Sequence, residues 1–217
     1  MSFKSSIFST FCLITLSFAL FSCKKGQTFK FGSQDLFAFG AQDSCHFNRN
    51  NLGIRISWKN ATPVQMYIHK SVPEKYDKDI ISAAEKWNSV LQKNLLNVRR
   101  DNSIENTPGR DGLNLIYWFT AWDGSTKEQA RTSTAVDLSK IIDADIKINA
   151  QNFAYSLTSQ GEVSGSINLE SLLIHEFGHV IGLTHFEEDG VMLAQLASAK
   201  IRIQPSDYEQ KEVGCEY

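Results

Sequence analysis

The sequence predicts a single α+β domain, and three observations carry that reading. Several short runs alternate apolar and polar residues with a period of two, the pattern of half-buried strands. Two longer segments, opening at Pro73 and after Asn168, carry apolar residues at helical spacing instead. The chain has 217 residues of ordinary globular composition, enough to bury one core of moderate size.

Taken in order, residues 1–23 read as an export signal. Lys4 precedes an uncharged run, Ile7 to Phe21, that is shorter than the roughly 20 residues of a membrane span. The run closes on Leu20-Phe21-Ser22-Cys23, followed by Lys24-Lys25. This resembles a bacterial lipobox, which implies that Cys23 is lipidated and anchors an exported protein to a membrane, on its periplasmic or its surface side. An ordinary cleaved signal is the alternative. Residues 24–52 read as a tether and entry segment, rich in small polar residues but holding Phe29, Phe31, Phe37 and Phe39. The domain itself is expected over 53–217.

Within it, Ile54, Ile56 and Trp58 alternate with polar residues and predict a short strand. Val64, Met66 and Ile68 predict a second, with His69 at its end read as a surface residue. From Pro73, the stripe Tyr76, Ile80, Ala83, Ala84, Trp87, Val90 and Leu91 predicts a long helix. Strands are expected at 95–99 and 113–118, separated by a loop over 101–111. The clearest strand is 142–149. Ile142, Ala144, Ile146 and Ile148 point one way, and Asp143, Asp145, Lys147 and Asn149 the other. The two aspartates are read as part of a solvent-facing row, with a Ca2+ site as the alternative. Asn168 is a good N-cap for a helix running to about Gly182. Pro205-Ser206-Asp207 opens a short last helix that Gly214 ends.

The segment after Asn168 contains HEFGHVIGLTH. His175 and His179 are four apart, so both imidazoles share one helical face. Glu176 points about 100° around the axis, where it reaches a metal-bound water rather than the metal. Gly182 can take positive φ, end the helix and turn the chain, which brings His185 back to the same metal. Three imidazoles leave a fourth tetrahedral position for water, the arrangement of a catalytic Zn2+. Glu176 is then the expected general base.

These residues, with Met192 seven positions after His185, resemble the signature of the metzincin zinc endopeptidases. The helix lead-in from Asn168 and the Asp143-Ala-Asp-Ile strand look most like the matrixin branch. The chain departs from the usual matrixin pattern at Phe186, at Leu193-Ala194 and in lacking a P-R-C-G propeptide switch. The resemblance implies a twisted mixed sheet, a methionine turn at Met192 beneath the zinc, and a protein or peptide substrate. It also implies that Asp143–Asn149 is the edge strand to which an extended peptide adds.

An exported chain with Cys45 and Cys215 beyond its signal most simply forms one disulfide between them; a latent enzyme with Cys45 as a thiolate on the zinc is the alternative. A net charge of -2, with basic residues in pairs rather than patches, excludes a nucleic-acid partner. A monomer is expected. Three functions remain open at this stage: a zinc endopeptidase, a surface lipoprotein that binds a ligand around a structural zinc, and hydrolysis of a non-peptide amide.

Overall fold

A computed structural model describes residues 45–187 and 189–217. The expectations for residues 1–44, including the signal, the Cys23 anchor and the tether, lie outside the described residues. Residues Ser44–Tyr217 form one compact unit with its core and its disulfide inside it, the attributes of a self-sufficient folding unit.

The α+β expectation holds. Five strands form one sheet: β1 (Val64–His69), β2 (Leu96–Asp101), β3 (Asn114–Phe119), β4 (Ala130–Asp137) and β5 (Lys140–Asn149). Their order is β2-β1-β3-β5-β4; every neighbouring pair is parallel except β4 with β5. β6 (Tyr155–Ser156) and β7 (Ile167–Asn168) make a separate short parallel pair. The helices are α1 (Asp77–Val90), α2 (Leu169–Val180) and α3 (Asp207–Val213).

The stripe read in the sequence is the buried face of α1, with Ile80, Ala83, Ala84 and Trp87 all enclosed. That face meets Met66 and Ile68 of β1, Ile146 and Ile148 of β5, and the apolar side of α2 in one core. Two tryptophans clasp α2. Trp87 Nε1 donates to Ile174 O at 2.7 Å and Trp58 Nε1 donates to Val180 O at 2.8 Å, so each buried indole keeps its polar group satisfied.

Five details correct the sequence reading. The segment 53–58 forms no strand; it pairs only through isolated bridges, Arg49 with Arg55 and Ser57 with Lys140. His69 is buried, not a surface residue. Its ring stacks on Tyr117 and its Nδ1 lies 2.9 Å from Ser71 Oγ, and burial lowers its pKa. Asp143 and Asp145 are buried as well, because the 108–112 loop folds over them. Asp143 Oδ2 accepts from Asp111 N and Gly112 N, and Asp145 accepts from Gly109 N and Leu115 N. Ile142 is exposed and Ile141 buried in its place, since the β4–β5 register slips between Ala135 and Val136. Finally, β4 and not β5 is the edge strand on the side of the cleft.

Candidate metal centre

Asn168 caps α2 as its sequence position predicts, its side chain accepting from Ser171 N at 2.9 Å. The other end closes on Gly182, at φ 103°. Leu183 N donates to Gly178 O and Gly182 N to His179 O, the paired bonds of a Schellman ending. A Cβ at residue 182 would run into Ile56 O and the Phe47 ring, so glycine is required on two counts. Residues 45–49, read as part of the entry segment, pair with this turn: Asn48 N donates to Gly182 O, and Thr184 N to His46 O.

The turn brings the three histidines together. His179 Nε2 lies 3.1 Å from His175 Nε2 and 3.1 Å from His185 Nε2. His175 Nδ1 lies 2.8 Å from Val191 O and His179 Nδ1 2.9 Å from Leu183 O. A carbonyl can only accept, so these partners assign the proton to Nδ1 in both rings and leave Nε2 as a lone pair. Burial, followed by the neighbouring His179 ring, pushes the His175 pKa down to about 3, and burial lowers His185 too. Converging lone pairs on neutral rings repel unless a cation sits between them. Tetrahedral zinc with bonds of about 2.0–2.1 Å sets neighbouring nitrogens about 3.3 Å apart. The three residues therefore fit the ion that the sequence motif implies.

Glu176 is buried on the adjoining face of α2. Its Oε2 accepts from Thr132 Oγ1 of β4 at 2.6 Å. Burial raises its pKa, opposed by His179 and by the Thr132 hydrogen bond. The carboxyl and the three imidazoles open on a cleft of about 450 Å³, walled by β4 on one side and by Ala194–Leu196 on the other.

Met192 lies fully buried under the site, with its sulfur against Gly178 between the two helical histidines. Its N–H donates to Glu209 Oε1 of α3 at 2.6 Å, and its carbonyl accepts from Phe186 N at 3.1 Å. Cys45 and Cys215 are joined by a disulfide with Cα atoms 6.4 Å apart.

Thr132, Glu209 and the carbonyls of Val191 and Leu183 escaped the sequence reading. Thr132 and the Val191 carbonyl belong to no local motif, and Leu183, inside HEFGHVIGLTH, acts through its backbone alone. The one available signal was the Pro205-Ser206…Glu209 capping box, which the structure forms and which also aims Glu209 at Met192.

Compared with known proteins, the chain matches the family model described as Matrixin over residues 46–212. No curated protein matches it.

Proposed function

Since this chain belongs to the matrixin family of metallopeptidases, we propose that it is a zinc-dependent endopeptidase of polypeptides, with Glu176 as its general base. The observation that carries the reading is the convergence of three lone-pair nitrogens beside a buried carboxyl at the floor of an open cleft.

His175, His179 and His185 would hold the ion through Nε2. Bound there, zinc supplies an acidified water and a polarising charge for the scissile carbonyl. Glu176 takes the proton from that water and passes it to the leaving amine. Thr132 fixes the carboxyl on the cleft side of α2. The raised proton affinity of Glu176 suits a group that must gain and return one proton each cycle. The outer edge of β4 is unpaired among the described residues and borders the cleft, so an extended peptide adds to it as a further strand. That edge favours polypeptides over small amides. The lipobox-like sequence at Cys23 supports export as a membrane-anchored lipoprotein, which acyl groups on the Cys23 peptide would register by mass.

The test is Glu176→Ala. Zinc content should stay at one ion per chain while cleavage of a peptide library falls at least 100-fold. Undiminished cleavage, or cleavage that survives a chelator, would sink the mechanism.

A further inference from the structure

The two walls of the cleft are tied together at one place. Gln129, the residue just before β4, donates from Nε2 to Leu196 O of the opposite wall at 3.0 Å. A carbonyl only accepts, so the amide turns its nitrogen toward Leu196. Both sides of this clasp are fixed from behind. Gln129 O accepts from Tyr155 Oη at 2.7 Å and from Asn149 N at 3.0 Å. Past Leu196, Ala199 N donates to Ser166 O at 3.0 Å and Ser198 Oγ to the same oxygen at 3.1 Å.

The ladder dictates how a peptide lies against β4. Gln129 spends its carbonyl on Asn149 of β5. By the alternation of an antiparallel pair, Ala130 and Thr132 then turn their N–H and C=O to the open edge. A peptide added antiparallel, the more stable pairing, runs with its C-terminal residues toward Gln129. Thr132 stands at Glu176, and three residues of strand, about 10 Å, separate it from Gln129. About three substrate residues therefore fit between the scissile bond and the clasp.

The charge at that end suits a chain terminus. Arg131 and Glu128 are spent on each other, with Nη2 2.6 Å from Oε2. Lys127, which also lines the cleft, is exposed and enters no salt bridge among the described residues. A free C-terminal carboxylate arriving there meets a cation, whereas an N-terminal amine would be repelled.

We infer that Gln129 closes the leaving-group end of the cleft, so that the site takes free C-terminal ends of polypeptides and cuts about three residues from them. The bond broken is still an internal peptide bond; the clasp restricts its distance from the end of the chain. This rests on the peptidase reading above and deepens it.

The test uses three pools of one set of decapeptides: with a free C-terminal carboxylate, with a C-terminal amide, and with eight further residues of alternating glycine and serine. Products are identified by mass. The parent protein should release fragments of two or three residues from the free-acid pool. It should cut the same bonds at least tenfold more slowly in the extended pool and at least threefold more slowly in the amide pool. Gln129→Ala should cut the extended pool at least fivefold faster than the parent does, a gain that misfolding cannot produce. Equal rates on the free-acid and extended pools overturn the inference while leaving the peptidase reading intact. So do equal rates on acid and amide, or a Gln129→Ala variant that discriminates as the parent does. Absence of zinc-dependent cleavage in all three pools is the different result that removes the peptidase reading, and the inference with it.

Discussion

Thr132 on the edge strand donates a 2.6 Å hydrogen bond to Oε2 of Glu176, so the wall of the cleft and the proposed general base are joined at one carboxylate. The bond favours the ionised form, since a hydroxyl donates best to a charged acceptor. Thr132→Val should lower kcat about tenfold, in line with a lost bond to a charged group. It should also move the acid limb of the pH–rate profile to higher pH. Thr132→Ser should restore both. A profile unmoved by valine would deny Thr132 its positioning role.

Gly178 lies against Met192, and a Cβ there would overlap the methionine sulfur and press on the Trp87 ring. Gly178→Ala should destabilise by about 1–3 kcal/mol through overpacking, despite the better helix propensity of alanine. In calorimetry this appears as a midpoint lowered by several degrees. Shortening the partner removes the collision. The pair Gly178→Ala with Met192→Ala should therefore cost less than the sum of the single changes.

The Cys45–Cys215 bridge closes a loop across a separation of 170 residues. In the chain-entropy view a loop of this length contributes about 4–5 kcal/mol. Replacing both cysteines by serine should reduce unfolding free energy by about 2–5 kcal/mol in urea titrations. An unchanged denaturation midpoint would show that the bridge adds nothing to stability.

Asp145 titrates in an unusual range for a carboxyl. Burial pushes its pKa from 3.8 up to about 6, against the opposing hydrogen bonds from Leu115 N and Gly109 N. A raised pKa means that the folded chain keeps a proton which the unfolded chain has released. The stability contributed by this group is therefore fully present below pH 3.8 and lost as pH rises through about 6. Carbon-detected NMR of the Asp145 carboxyl should give a midpoint near 6. A midpoint at or below 4 would contradict its burial beneath the 108–112 loop.

The elements legible in the sequence are those whose signals are local. The stripe of α1, the Asn168 cap and the positive-φ glycine at 182 each act within a few residues, and the structure forms all three. The spacing of His175, His179 and His185 needs only a helix and a turn, so their convergence could be worked out without the rest of the fold. What escaped depends on distant chain. β4 reads ARTSTAVD, with small and polar residues instead of an apolar run, because the edge strand packs less of itself into the core. With β4 unseen, nothing in the sequence opposed the edge position that the family resemblance implied for Asp143–Asn149. The carboxylates of Asp143 and Asp145 looked solvent-facing because the loop that covers them returns from more than 30 residues earlier. His69 was misread for the same reason, since its stacking partner Tyr117 comes from another strand.

The bridge between Cys45 and Cys215 also bears on mechanics. A pull on the chain ahead of residue 45 meets a covalent bond at once and is passed to Cys215, just beyond α3. The helix with His175 and His179, the turn to His185, the edge strand and Met192 all lie inside the closed loop, off the line of that force. Tension applied between the two ends of the unit would thus be carried by the bridge, and the loop that it closes would be shielded from it.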